Sequence, residues 1–389
     1  MIYLDNAAST QIHDDVFESM IPYMREQYGN PSSIHRRGRY ARKAVELARK
    51  QIASLVNANS SEILLTSGGT ESNNMALFGA TINSPHSHII TSSIEHDAIL
   101  EPCRILEDAG FDVTYLPVDR FGTVDISKLE SSISEKTKLV SIMYANNEVG
   151  TIEPIFEIAK ICREKNILFH SDAVQAVGKI SLDVKKIPID MLSISSHKLN
   201  GPKGVGALYI RKGTLLSPVI YGGGQERGLR SGTENVAGIV GFGKACDIAR
   251  ETIHHNLQNM KNLRDYMVTK ITSEIPHTSL NGHPENRLPN NAHMTFLGVN
   301  GEDLIIKLDE YDIHASTGSA CSVHTQKASH VLKSMGFSHE QITGSLRLTL
   351  GIFNDMKQVD EVVCVLKKVV AELRAVSPFR EKYSFAENA

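Results

Sequence analysis

The chain has 389 residues, 41% of them hydrophobic and 22% charged, with a formal net charge of −3. That composition suits a folded protein with large cores, excludes wholesale disorder, and offers no electrostatic footprint for nucleic acid or an anionic membrane. The opening "MIYLDNAAST" lacks a basic segment followed by an apolar one, no apolar run reaches spanning length, and five cysteines argue for reduced thiols, so a cytoplasmic protein is expected.

From about residue 40 to residue 250 apolar runs alternate with helical patterns, the mark of a helix-covered, mostly parallel sheet. Ala41, Ala44, Val45, Ala48, Ile52 and Leu55 recur at three- and four-residue steps and predict an amphipathic helix. "EILLTSGGTESNNMALFGA" (62–80) reads as strand, glycine turn and helix. Further strands are expected in "HIITSS" (88–93), "KLVSIMYAN" (138–146), "ILFHSDA" (167–173), "MLSIS" (191–195) and "GALYI" (206–210), with a helix in "IFEIAKICREKN" (155–166). Past residue 260 longer helices dominate, "NLRDYMVTKITSEI" (262–275) and "MKQVDEVVCVLKKVVAELRAV" (356–376). We therefore expect a large α/β domain over 16–260 and a smaller α+β domain built from 1–15 and 261–389.

Chemistry gathers where apolar strands end. The turn in "TSGGTESNN" presents backbone N–H groups and the positive end of a helix dipole, which suits a phosphate; a plain tight turn with Ser67 or Thr70 as N-cap is the alternative. Asp172 closes the strand "ILF" two residues after His170, either facing a ligand beyond the strand end or capping the next helix. Lys198 leaves "MLSIS" just ahead of a glycine-proline turn, where partial desolvation lowers an amine's pKa and makes it a usable nucleophile. Amine, carboxylate and anion cradle together are what pyridoxal phosphate needs, and the conjunction carries the inference. His96, past "HIITSS", either stacks on a planar cofactor or is a surface loop residue.

Cys103, Cys162, Cys246 and Cys364 fall in helical patterns, where a cysteine usually behaves as a small buried hydrophobe. Cys321 alone sits among Thr317, Gly318, Ser319 and Ser322, either as a reactive thiolate or as an incidental loop cysteine. Arg347 in "GSLRLTLG" faces away from Leu346 and Leu348, either clamping a carboxylate or solvated. "GIVGFGKA" has P-loop spacing but ends in Ala245 where Ser or Thr must bind magnesium, and no zinc-ligand spacing accompanies the sixteen histidines.

The motifs "YLDNAAST", "GNPSSIH", "TSGGTESNN", "EHDAIL", "NNEVGTIEPI", "HSDAVQAVGK", "SSHKLNGPKGVGALYIRKG", "GGGQERGLRSGTEN", "STGSACS" and "GSLRLTLG" follow one another over nearly the whole chain. In that order they closely resemble the pyridoxal-phosphate cysteine desulfurases of the NifS/IscS type, and "STGSAC" resembles the family's first group, with its long cysteine loop. The resemblance implies the fold-type I transferase architecture: a mostly parallel seven-stranded sheet in the large domain, with the cysteine loop and the substrate-binding arginine on the small one. It implies Lys198 as the Schiff-base lysine, Asp172 at the pyridine nitrogen, His96 stacked on the ring, and Gln175 and Asn147 on the phenolic oxygen, Asn147 also near substrate. Gly69, Thr70, Ser195 and His197 would hold the phosphate, joined by Thr233 from the neighbouring subunit of a homodimer. Arg347 would bind the carboxylate of L-cysteine and Cys321 receive its sulfur as a persulfide, leaving L-alanine. No resident metal is implied; Cys321 is carried only as a candidate transient iron–sulfur ligand. The sulfur would pass to a protein acceptor serving iron–sulfur assembly, tRNA thiolation or DNA phosphorothioation, without direct nucleic-acid or membrane binding. Two alternatives stand beside this reading: an aminotransferase or β-lyase on the same fold, and a non-catalytic sulfur-delivery subunit.

Overall fold

The computed structural model describes residues 1–318 and 328–383. Its elements in chain order are β1 (Ile2–Tyr3), α1 (Asp14–Arg25), α2 (Arg36–Leu55), β2 (Ile63–Thr66), α3 (Gly69–Thr81), β3 (His88–Ser92), α4 (Asp97–Asp108), β4 (Asp112–Leu116), α5 (Ile126–Ser132), β5 (Thr137–Ser141), α6 (Ile155–Glu164), β6 (Leu168–Asp172), β7 (Met191–Ser195) and β8 (Gly206–Ile210). They continue with α7 (Val236–Glu274), β9 (Thr278–Asn281), β10 (Asn291–Phe296), α8 (Gly301–Asp309), β11 (Ile313–His314), α9 (His330–Ser334), α10 (His339–Thr343), β12 (Ser345–Thr349), α11 (Met356–Val376) and α12 (Arg380–Tyr383).

Seven strands form one sheet in the order β2-β8-β7-β6-β5-β3-β4, parallel from β7 through β4, with β8 antiparallel to both its neighbours. The strands other than β4 read as largely apolar runs because both faces are buried, whereas the edge strand β4 is exposed or half-buried up to Leu116. Successive residues enter opposite cores: Ile90, Val140, Leu192 and Tyr209 pack on one side, Ile89, Leu139, Met191 and Leu208 on the other.

A further core is built on the antiparallel sheet β12-β10-β9 with α8 and α11, and Ile2 and Leu4 from the start of the chain belong to it. Helix α7 crosses residue 260, where the sequence pattern changes, without a break. Its first half packs Ile239, Phe242, Ala245 and Cys246 into the core of the large sheet, its second half Leu263, Met267 and Ile271 into the other. The shift in pattern marks a change in what the helix packs against, since the stretch between these groups is largely exposed or half-buried. Cys364 departs from the expectation of burial: the apolar stripe of α11 runs through Val359, Val362, Val363, Leu366, Val369 and Val370, and Cys364 falls outside it, exposed. Among the described residues no helix is long and apolar enough to cross a membrane.

Beneath the strand ends His170 on β6 ties three strands together, its Nδ1 2.8 Å from Ser141 Oγ on β5 and its Nε2 2.9 Å from Ser193 Oγ on β7. Burial pushes its pKa down to about 3, so the native ring is neutral. The unfolded chain takes up a proton near pH 6.5 that the native ring refuses, so this contribution to stability is present at neutral pH and lost on acidification. His170→Gln is expected to reduce the fall in stability between pH 7 and pH 5 by roughly 2 kcal/mol. Urea unfolding at the two pH values checks this; an unchanged fall would mean that the ring does not resist protonation.

Candidate active site

The parallel strands deliver their chemistry beyond their carboxyl ends, where ligands bind in open α/β sheets. His96 follows β3, Asn147 follows β5, Asp172 ends β6, and Lys198 follows β7 on one short turn of 3-10 helix. Of these, His96, Asn147 and Lys198 line a cleft of about 600 Å³ together with Gln175, Glu148 and Arg347. Residues far apart in the chain thus share one space.

Lys198 Nζ donates to Ala7 O at 2.5 Å and Ala8 O at 2.7 Å, so the start of the chain lies across the strand end. His96 is the N-cap of α4 and accepts Ala98 N–H at Nδ1, 3.0 Å, which leaves Nε2 as the protonated nitrogen of the neutral ring. Burial lowers its pKa, against the opposing pull of Asp172. It is half-buried and lines the cleft. Asp172 accepts Asn73 Nδ2 at 2.7 Å on one oxygen and Val174 N–H at 2.9 Å on the other, so it both caps the next turn and presents a hydrogen-bonded carboxylate at the strand end.

At the start of α3 the cap is Gly68, at φ 156°, and neither Ser67 nor Thr70 serves, contrary to the capping alternative. Ser67 Oγ is engaged by Glu71, and Thr70 is exposed. Glycine is required by close approach: a Cβ on Gly69 would lie 2.7 Å from Val174 Cγ2 and 3.7 Å from Ser195 Cβ, and one on Gly206 only 2.7 Å from Gly68 Cα. The open amides of a 13-residue helix therefore stand beside Ser195, whose buried Oγ has no hydrogen-bond partner among the described residues. His197 is close to Lys198; burial, with that positive neighbour, takes its pKa down to about 4. An orphaned hydroxyl, free helix amides, a strand-end amine and a fixed carboxylate fit pyridoxal phosphate.

Arg347 is 2% exposed, which removes the solvated alternative. Its Nη2 donates to Asp5 Oδ1 at 2.9 Å and its Nη1 to Asn147 O and Gly318 O, both at 3.2 Å, while the buried Nε has no partner among the described residues. Glu148 accepts Ser329 Oγ at 2.5 Å, and burial raises its pKa. Gly318 and Ala328, the described residues that flank 319–327, both line the cleft. Cys321 lies outside the described residues. Cys103 and Cys162 are buried with thiols pushed up to about 12, unsuited to act as thiolates near neutrality.

Thr233 does not line this cleft; it is exposed on the segment before α7. That segment is held by Glu226, which pairs with Arg49 at 2.6 Å and accepts Leu65 N–H, and by Arg230, which pairs with Glu71 in the first turn of α3 at 2.8 Å. Sequence reasoning assigned no role to Asp5, Asn73 or Glu148, although each stands in a motif it singled out. Nothing local signals Asp5 as the partner of Arg347, 342 residues away.

The family model "Aminotransferase class-V" matches residues 2–362. The chain is 48% identical over 384 residues, 98% of each chain, to "Cysteine desulfurase IscS" of Dictyoglomus turgidum. Among solved structures it is similar to a "NIFS-like protein", with a TM-score of 0.90, 40% identity and coverage of 96% of this chain and 100% of that one. It is also similar to "SspA in complex with cysteine", with a TM-score of 0.82, 38% identity and coverage of 91% and 100%. The chain belongs to the class-V aminotransferase family, and its activity is that of a pyridoxal-phosphate-dependent cysteine desulfurase.

Proposed function

We propose that this enzyme removes sulfur from L-cysteine in the cleft at the strand ends, with Lys198, His96 and Cys321 as catalytic residues and Arg347 and Asn147 as substrate-binding residues. The observation that carries the proposal is the convergence of Lys198, His96, Asn147, Gln175 and Arg347 on one cleft that Gly318 and Ala328 also line. A relative solved in complex with cysteine supports the substrate.

Lys198 would hold the cofactor covalently, Asp172 would keep its ring nitrogen protonated, and His96 would cover the ring. Gln175 and Asn147 would contact its phenolic oxygen, and Gly69, Thr70, Ser195 and His197 its phosphate. When bound, the cofactor supplies an electron sink for negative charge on the substrate Cα. Arg347 orients the substrate through its carboxylate. Once its amine is free of the cofactor, Lys198 would move the Cα proton, with Ala7 O and Ala8 O placed to hold that amine.

The Cys321 thiolate bonds to the substrate sulfur as the Cβ–S bond breaks. The electron pair of that bond goes to carbon, which takes a proton, so L-cysteine plus a protein thiol become L-alanine plus a persulfide with no external oxidant. The persulfide sulfur then passes to a protein acceptor. We further propose a homodimer in which Thr233 contributes to the phosphate site of the second copy; its exposure, on a segment anchored to α3 by the Arg230–Glu71 pair, supports that placement.

Lys198→Ala is expected to abolish the visible absorbance of the covalently held cofactor, and persistence of the band would assign the attachment elsewhere. Arg347→Ala is expected to raise KM for L-cysteine roughly a hundredfold, the scale of a lost charge-assisted hydrogen-bond pair, while the absorbance stays. Steady-state kinetics with an unchanged KM would remove the arginine from substrate binding. Cys321→Ser is expected to stop alanine release with the absorbance intact; continued turnover would exclude Cys321 as the sulfur acceptor.

A further inference from the structure

None of these steps uses Lys179, yet an amine so far inside a protein calls for a reason. The side chain is 6% exposed, in the turn after β6, and its Nζ donates to Gln175 O at 3.1 Å and Gln175 Oε1 at 3.3 Å. Gln175 Nε2 in turn donates to Ala7 O at 2.9 Å, and that same carbonyl accepts Lys198 Nζ at 2.5 Å. One hydrogen-bonded chain therefore runs Lys179, Gln175, Ala7, Lys198. Beside it a cavity of about 40 Å³, lined by both lysines, Asn6, Thr10 and Asn200, has room for an ordered water.

A glutamine amide is nearly isosteric about its own flip, so packing cannot choose its orientation and hydrogen-bond partners must. Lys179 donates on one side and Ala7 O accepts on the other, which assigns Oε1 inward to the lysine and one amide hydrogen to Ala7. The second amide hydrogen is left for the cleft that Gln175 lines. Burial, and next the charge of Lys198, bring the Lys179 pKa down to about 7. Charged or neutral, the amine keeps the two N–H groups that the bonds to Gln175 use.

We propose that Lys179 is a positioning residue for the desulfurase reaction, fixing the amide orientation of Gln175 and, through Ala7 O, the setting of Lys198. This rests on the reading of Gln175 as a contact to the cofactor's phenolic oxygen. The test is a double-mutant cycle on the cofactor-loaded enzyme with Lys179→Met, Gln175→Ala and the pair, reading the visible absorbance maximum, kcat and KM for L-cysteine. Lys179→Met is expected to move the absorbance maximum in the same direction as Gln175→Ala and to lower kcat about tenfold, with KM changed less than about twofold. The double variant is expected to be no worse than Gln175→Ala alone.

Multiplying losses in the double variant would overturn the inference. So would a wild-type spectrum and kcat in Lys179→Met beside an altered Gln175→Ala, with the reading of Gln175 left standing. An unmoved spectrum in Gln175→Ala would overturn that reading and this inference with it. Should Lys179→Met fail to fold, Lys179→Gln, which keeps a polar head in the cavity, takes its place in the same cycle.

Discussion

The site depends on one contact: the amine of Lys198 held by the carbonyls of Ala7 and Ala8, some 190 residues earlier in the chain. A lysine carries its charge on a long, flexible stem that backbone acceptors can fix. Two backbone acceptors within 2.7 Å hold it back, and they stay in place because the segment before α1 is itself pinned. Ala7 N–H bonds Thr349 Oγ1, Asn6 bonds Thr349 O, and Thr10 bonds His197 O, each with good geometry. The N-terminal segment thereby bridges the strand that carries Arg347 and the turn that carries Lys198.

Arg347 shows what such bridging costs and secures. A guanidinium almost wholly withdrawn from water must be compensated by charge and hydrogen bonds, and Asp5 supplies the charge. Among the described residues the buried Nε has no acceptor, so the group is held without being saturated. The same guanidinium holds Gly318 O and Asn147 O, so this buried cation, the chain flanking residue 319 and the β5 turn share one set of contacts. Lys179 applies the same logic one layer further in: a donor placed where an amide has two equivalent poses.

Much of this was legible before the fold was known. Strands buried on both faces announce themselves as apolar runs, so β2, β3, β5, β6, β7 and β8 stand out, and the residues at or just past their ends, His96, Asp172 and Lys198, are conspicuous as polar groups at apolar boundaries. The glycines of "TSGGTESNN" were legible as a tight turn, although the cap turned out to be Gly68 and not a hydroxyl, because close packing against Val174 and Gly206 mattered more there than side-chain capping. The continuity of α7 was not legible, since its periodicity shifts where its packing partner changes. Nor was the exposure of Cys364, which hangs on the rotational setting of α11.

Residue types and their order thus determined which chemistry is on offer, because an amine, a carboxylate and glycine-opened amides declare themselves locally through composition and short spacing. Tertiary structure alone decided which of these groups meet and which are neutralised. The pairing of Asp5 with Arg347, the grip of Ala7 and Ala8 on Lys198, the hold of Asn73 on Asp172 and the link of Lys179 to Gln175 depend on how β12, the N-terminal segment, α3 and the β6 turn pack. The physical reason is that burial and electrostatics act through space over a few ångströms, while the sequence records only distance along the chain.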